Sequence, residues 1–369
     1  MTLEVRSQLT RAKRIVVKIG SRALANDPAA AARLAEEVAV LRTGQRCFVI
    51  VTSGAIAIGC SKLGYRGRPK EIAKLQAAAS AGQSVLMRRY ERALGQHEIV
   101  AAQVLLTHSD LSDRERLNNA RQALAALLEA GAVPIINEND AVATDEIRFG
   151  DNDQLAAMVA PMVGADLLIL LTDVEGVLDS RGRRIRLMTD KVQVAELEEK
   201  AGPGTGGMKS KLDAARKGCR AGAHVVIASA SQPNVVTSVL RGDDIGTLFL
   251  SGPRALRARK HWIAYTLKPR GALVLDEGAG RAVRAGRCSL LPVGIIGVRG
   301  GFGPGDAVQL VGLDGMEIGR GLTRLGALDV ARAAGKKGHA LEVLFGRGAA
   351  DVVVVHKDDL VVDGTEEGT

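Results

Sequence analysis

Short runs of consecutive apolar residues, each cut off by glycine or by polar side chains, punctuate the chain from Arg14 to Ala228. They are RIVVKIG (14–20), CFVIV (47–51), the stretch 99–107, VPII (133–136), DLLILL (166–171) and the stretch 224–228. Runs this short, apolar at successive positions, predict strands buried on both faces. Between them, 28–43, 70–95, 110–131 and 212–222 carry apolar residues at helical spacing, the first three rich in alanine. Strands alternating with helices predict an α/β fold, an αβα sandwich with a mainly parallel central sheet. Beyond residue 250 the texture changes. Segment 251–272 is basic and holds the single tryptophan, Trp262, and is expected to be a linker. The runs GALVLDEGAG, SLLPVGIIGV, GPGDAVQLVG, MEIGRGL and DVVVV are short and glycine-punctuated, and predict a small β-rich domain over 273–357. The small, acidic residues 358–369 are expected to form a disordered tail, which leaves 1–250 as the larger domain.

Polar residues at the ends of the apolar runs carry the candidate chemistry, because an open α/β sheet binds ligands beyond the carboxyl ends of its strands. The run at 133–136 breaks into Asn137, Glu138, Asn139 and Asp140, and a second polar cluster, Asp151-Asn152-Asp153, precedes the apolar helical pattern from Leu155. Asp or Asn before a helix is the usual N-cap, and capping accounts for one such cluster. Six carboxylates and one arginine between Glu138 and Asp153 are too many for capping alone and point to a ligand site. Lys18 lies inside the first apolar run. Two readings stand for it: a surface lysine at a strand end, or a cation delivered to an anion beside the Gly20-Ser21 turn. Thr52-Ser53-Gly54-Ala55 follows the second run, and its small residues suit either tight helix–strand packing or backbone donors brought close to a ligand. Thr172-Asp173 ends the run at 166–171. Gly204 to Lys211, GTGGMKSK, is glycine-rich, opens the helix at 212–222 and ends in two lysines, a pattern for holding phosphate. It is not a P-loop, which would need glycine where Met208 stands, and no GxGxxG fingerprint follows an early strand.

Composition narrows the classes. Length, 369 residues, and 46% hydrophobic with 25% charged residues suit two globular domains. A net charge of +9 permits polyanion binding, but the arginines are dispersed and aromatics amount to 2%, so base stacking has few candidates and RNA is not an expected main partner. The four cysteines have no CxxC spacing and the six histidines form no paired motif, which argues against zinc and disulfides and for a reducing compartment. The polar N-terminus lacks a signal-peptide core, and no apolar run approaches the roughly 20 residues that span a bilayer. The expectation is a cytoplasmic protein with no membrane segment.

In this order, VVKIGS, IVTSGAIAIG, INENDAVA, FGDNDQLAA, LLTDVEGV and GTGGMKSK resemble the glutamate 5-kinase branch of the amino acid kinase family. LDEGAGRAV, SLLPVGI and GDAVQL resemble the PUA domain appended to many bacterial members. The resemblance implies an amino acid kinase-type sandwich followed by a PUA-like domain. It implies ATP-dependent phosphorylation of the γ-carboxylate of L-glutamate, the first step of proline biosynthesis, with feedback inhibition by L-proline. By the same resemblance Lys18 and Lys211 would stabilise the transferring phosphoryl group and Asp153 would orient them. Ser53, Gly54, Asp140 and Asn152 would hold glutamate, with Asn137 and Asp151 close by. Lys18, Thr172, Asp173 and the segment Thr205, Gly206, Gly207, Met208, Lys209, Ser210, Lys211 would hold ATP. Mg²⁺ would be carried by the nucleotide phosphates rather than by a dedicated protein site, and a homodimer or homotetramer is implied.

Three departures from the family pattern stand out. Lys209 occupies a position where relatives often have a smaller residue. TRLG (323–326) lacks the tyrosine-serine texture of the PUA pattern, and the segment after Gly176 is short. The alternatives are another amino acid kinase, of the acetylglutamate or aspartate type, and an additional RNA-binding role for the small domain. INENDAVA followed by FGDND argues against the first.

Overall fold

The computed structural model describes residues 5–27, 29–42, 46–143, 151–188, 207–252, 256, 258–286, 288–346 and 348–362. They form two compact units, Met1–Ala255 and Leu256–Thr369.

The first unit is built on strands β1 (Arg14–Ile19), β2 (Cys47–Val51), β3 (Ala101–Leu106), β4 (Val133–Glu138) and β5 (Leu167–Thr172), continued by β6 (Leu187–Met188), β7 (His224–Ser229) and β8 (Thr247–Phe249). Their order is β3-β4-β2-β1-β5-β7-β8-β6, with β1 central. Every pairing is parallel except that of β7 with β8. Helices α1 (Ser21–Asn26), α2 (Ala30–Leu41), α3 (Ala55–Lys62), α4 (Ile72–Gly95), α5 (His108–Ser112), α6 (Arg114–Glu129), α7 (Asn152–Val163), α8 (Met208–Arg220) and α9 (Val235–Arg241) connect them.

Alternation along the strands separates two cores. Ile15, Val17 and Ile19 of β1, with Phe48 and Ile50 of β2, pack on one face against Leu34 and Val38 of α2, Leu86 of α4 and Val239 of α9. Val16, Val49 and Val51 face the other way, against Leu124 of α6, Leu155 and Val159 of α7, and Leu212 of α8. The αβα sandwich with a mainly parallel sheet is the one the hydrophobic pattern predicts. The same period places Lys18 on the face of Val16, toward α7 and α8, and that placement builds the site.

The sequence reading and the structure differ in four places. Helix α8 begins at Met208 rather than 212, because Gly207 serves as its N-cap, so Lys209, Ser210 and Lys211 belong to its first turn. The strand at 224–229 does not close the sheet. β8 adds antiparallel to β7, and β6 pairs with β8. Part of the segment read as a linker is helical: α10 (Ala258–Tyr265) belongs to the second unit, with Ile263 and Ala264 buried beside Leu322 and Val361. Arg320 Nη1 donates to the Ala264 carbonyl at 3.1 Å, and Arg259 pairs with Asp359 at 2.6 Å. The residues from 358, read as the start of a disordered tail, enter a strand. Leu360 and Val361 are buried and pair with Gly321 and Arg320. Their acidic neighbours, Asp358 and Asp359, hide these two apolar positions in the sequence.

The second unit is a five-stranded sheet in the order β10-β9-β11-β12-β13, formed by β9 (Gly271–Leu275), β10 (Ile295–Gly300), β11 (Ala307–Val311), β12 (Glu317–Thr323) and β13 (Val355–Val362). The apolar run Val352–Val354 precedes β13, and Val354 N–H donates to Leu290 O instead of joining a long ladder. Helices α11 (Glu277–Arg284), α12 (Ala327–Ala333) and α13 (His339–Phe345) complete the unit. The β-rich character holds, although DEGAG opens a helix: the Asp276 side chain caps α11 by accepting from Ala279 N–H at 2.7 Å.

Candidate active site

The carboxyl ends of β1, β2, β4 and β5 come level through their register: Lys18 lies beside Val51 and Leu170, and Val51 beside Ile136. Each strand continues into polar residues at one edge, where a cleft opens. Lys18, Ser53, Gly54, Asn137, Asp140 and Asp151 line it, as do Asn152, Asp153, Thr172, Asp173 and Lys211. The N-terminal turns of α1, α3, α7 and α8 converge here. Gly54 is the N-cap of α3 with φ +101°, a left-handed conformation that a side chain would strain. Among the described residues no side chain caps α1, α3 or α8, which leaves the N–H groups of their first turns to face an anion at the cleft.

At the cleft floor, Asp153 stands between two ammonium groups. Lys18 Nζ lies 2.7 Å from Oδ1, and Lys211 Nζ donates to Oδ2 at 3.0 Å. All three side chains are buried, Asp153 fully and the lysines to within 8% exposure. Burial alone pushes the Asp153 carboxyl up, but the charges and hydrogen bonds of Lys18 and Lys211 outweigh it and hold the group below the ordinary aspartate value. The cluster therefore carries two positive charges and one negative, a net +1 in a desolvated site where charge acts strongly.

A second layer of contacts fixes α7 against α8. The Asp151 side chain accepts from Asp153 N–H at 3.1 Å and from the Ser210 hydroxyl. Gln154 Nε2 donates to Ser210 O at 3.0 Å, and Lys217 Nζ donates to Gln154 Oε1 at 2.6 Å. Burial and the neighbouring charge of Asp153 raise the Asp151 carboxyl, against the Ser210 hydrogen bond.

The rest of the lining includes amides and carboxylates. Asn152 Nδ2 shares its two hydrogens among three acceptors, Thr52 O, Ser53 Oγ at 2.9 Å and Asn137 Oδ1 at 2.9 Å. Asp140 is half-buried. Burial pushes its carboxyl up to about 6, and the Arg68 guanidinium opposes that rise. At the end of β5, Thr172 Oγ1 donates to Asp173 Oδ1 at 3.0 Å, and Arg22 pairs with Asp173 at 3.0 Å. Those contacts outweigh partial burial and lower the Asp173 carboxyl.

Of the glycine-rich segment, Lys211 enters the cleft lining. Met208 packs partly buried against the core beneath α8, Ser210 is held by Asp151, and Gly207 and Lys209 are exposed. Thr205 and Gly206 lie outside the described residues. Arg22 and Arg68 also line the cleft and carry no reading from sequence, and Glu138 and Ile56 line it from segments that do. Arg22 follows the Gly20-Ser21 turn and could have been found with Lys18, whereas Arg68 sits in a loop with no local signal. Among the described residues no group of three or more His, Cys, Asp or Glu is arranged to hold a metal. No helix among them is long and apolar enough to cross a membrane.

Residues 13–229 match the amino acid kinase family, more than half of the chain. The chain belongs to the amino acid kinase family. Residues 271–345 of this amino acid kinase match the PUA domain. It is 45% identical to the glutamate 5-kinase of Pseudomonas putida (strain W619), over 97% of this chain and the whole of that relative. It is 42% identical to those of Trichlorobacter lovleyi and Burkholderia ambifaria, again over 97% of the chain and covering 98% and 100% of the relatives. The family and the PUA match agree with the resemblance read from the motifs.

Proposed function

We propose that the chain transfers the γ-phosphoryl group of ATP to the γ-carboxylate of L-glutamate. One carboxylate oxygen attacks the γ-phosphorus, the bond to the β,γ-bridging oxygen breaks, and ADP leaves with that electron pair. The observation that best supports this is the pair of ammonium groups on Asp153, in a cleft that Ser53, Asn152 and Asp140 also line.

Such a site needs no general base. A γ-carboxylate with an ordinary pKa of about 4.3 is already ionised at neutral pH. The obstacle is repulsion between that carboxylate and the triphosphate, roughly 4 kcal/mol per unit pair at 4 Å and an effective dielectric constant of 20. Lys18 and Lys211 offset it, most strongly where charge builds up on the transferring group, so they accelerate transfer by electrostatic stabilisation and positioning. Asp153 holds both ammoniums in register. Open N–H groups of α3 and α8 add fixed positive dipole for carboxylate and phosphate. Thr172, Asp173 and the segment 205–211 are assigned to the nucleotide. Mg²⁺ is assigned to the nucleotide phosphates, since Asp153 and Asp151 are already engaged by Lys18, Lys211 and Ser210.

Asp140 selects an amino acid by pairing with the α-ammonium. L-proline shares the ammonium and α-carboxylate but lacks the distal carboxylate, and is assigned as an inhibitor of this pocket. A pH dependence follows. Below about 6 the Asp140 carboxyl is neutral in the free protein and attracts the ammonium weakly. The expected result is that kcat/KM for glutamate falls as pH drops through 6, approaching tenfold per unit, with the loss in KM. Glutamate binding favours the ionised form, so kcat breaks at a lower pH. A flat kcat/KM profile from pH 7 to 5 would remove Asp140 from this role.

The decisive test of the reaction is chemical. The protein is incubated with ATP, Mg²⁺, hydroxylamine and glutamate, aspartate or N-acetylglutamate, and the acyl phosphate is trapped as a hydroxamate. Signal with glutamate is expected. Signal with aspartate or N-acetylglutamate in its place overturns the assignment in favour of another amino acid kinase.

A further inference from the structure

The amides along one wall of the cleft form a directed row that ends outside the cleft. Asn152 donates to the backbone carbonyl of Thr52. A carbonyl can only accept, so this contact fixes which end of the Asn152 amide is nitrogen. Asn137 then meets Asn152 with its oxygen, at 2.9 Å. Its nitrogen is turned the other way and donates to Gln83 Oε1, also at 2.9 Å. Gln83 in turn donates through Nε2 to Gln103 Oε1 at 3.1 Å, where the row reaches the exposed edge strand β3. Every member takes the one orientation compatible with the Thr52 carbonyl.

This polarity decides what the cleft presents. With the two N–H groups of Nδ2 shared among Thr52 O, Ser53 Oγ and Asn137 Oδ1, Asn152 has its oxygen left for a ligand. The Ser53 hydroxyl, accepting from Asn152, keeps its own proton to donate. An acceptor beside a donor matches the ammonium and carboxylate of an amino acid. Reversing Asn137 would set its nitrogen against the nitrogen of Asn152, which the Thr52 carbonyl keeps in place, and so break the contact between them.

We infer that Gln83, a residue of α4 outside the cleft lining, is a positioning residue for the amino acid substrate, holding the Asn137 amide with its oxygen toward Asn152, so that the wall that reads glutamate stays assembled. The inference rests on the proposed kinase reaction. What matters in Gln83 is its acceptor oxygen, and that separates two near-isosteric variants. Gln83→Glu keeps an acceptor for Asn137, and the exposed Gln103 amide can turn to donate to the new oxygen. Gln83→Met keeps the length and apolar stem but removes the acceptor and releases Asn137.

The test is steady-state kinetics of both full-length variants by hydroxamate trapping, with thermal unfolding recorded for each. The expected result for Gln83→Met is a KM for glutamate raised about tenfold or more, with kcat and the KM for ATP within threefold of wild type. Gln83→Glu is expected to stay within threefold on all three parameters. A Gln83→Met protein with the wild-type KM for glutamate overturns the inference. So does a loss spread equally over kcat and both KM values, or an equal loss in the two variants, since either would mean Gln83 serves only the fold. A wild-type protein that phosphorylates no glutamate overturns the kinase reading and the inference with it, whereas a normal wild type beside a normal Gln83→Met overturns the inference alone.

Discussion

Replacing Lys211 with alanine is expected to lower kcat by about a hundredfold to a thousandfold, the range for removing one preorganised donor to a developing charge, while the KM for glutamate changes by less than about fivefold. The asymmetry follows from where the ammonium sits. Lys211 is in the first turn of α8, buried, 3.0 Å from Asp153, whereas Ser53, Asn152 and Asn137, assigned to the amino acid, are hydrogen-bonded to one another. It therefore touches the transferring group more than the ground-state glutamate. A change confined to kcat and kcat/KM marks an interaction made in the transition state. Removing Lys211 leaves Asp153 with Lys18 at 2.7 Å, so the buried carboxylate keeps a counter-charge and the unit is expected to stay folded. Circular dichroism and a thermal midpoint close to wild type check that condition. Full turnover in Lys211→Ala would mean that phosphate does not sit between the two lysines. Asp153→Asn complements the test: both lysines remain but lose the group that holds them together, and kcat should fall at least as far.

How much of this was legible beforehand depended on whether the signal was local. The buried strands announced themselves as continuous apolar runs, because a parallel sheet covered on both faces has no polar side to alternate with. Lys18 was visible as the one charge inside such a run, and Asp151-Asn152-Asp153 as a polar cluster before a helical pattern. What linked Lys18 to Asp153 and Lys211 was the parity of β1, and parity matters only once α7 and α8 are known to cover the Val16 face. Arg68 and Gln83 gave no signal, one in a loop and the other in an alanine-rich helix, since their roles exist only across long separations in sequence. A glycine-rich stretch reads as loop and so hides the first four residues of α8, whereas Gly207 caps the helix and Met208 already packs on the core. At the C-terminal end, Leu360 and Val361 were hidden among acidic neighbours, and their burial depends on pairing with β12.

Gly82→Ala is expected to be among the most damaging single-methyl changes in the first unit. A Cβ at Gly82 would run into the carbonyl oxygen of Ala55 and come within 2.7 Å of Gly59 N, while a Cβ at Gly59 would run into the carbonyl of Ala78. Helices α3 and α4 thus touch backbone to backbone, and backbone cannot step aside as a flexible side chain does. Alanine would ordinarily favour a helix interior by about 1 kcal/mol over glycine. Forcing the helices apart costs more than that, typically 1–3 kcal/mol for overpacking and higher where backbone must move. A net loss of roughly 2 kcal/mol corresponds to a midpoint lowered by about 4–8 °C for a unit of this size. Function should suffer as well, because the turn displaced is the start of α3, where Ser53, Gly54, Ile56 and Ala57 line the cleft. The KM for glutamate should therefore rise. Gly95→Ala, in the same helix with nothing within 4 Å of the added carbon, serves as the control and should be within about 1 kcal/mol of neutral. The double variant Gly59→Ala, Gly82→Ala distinguishes a shared contact from two separate ones. Once one methyl has pushed α3 from α4, the second finds part of its space already made, so the combined loss should fall short of the sum of the two singles. Strict additivity would mean that each clash is relieved locally and that the two helices do not move as a unit.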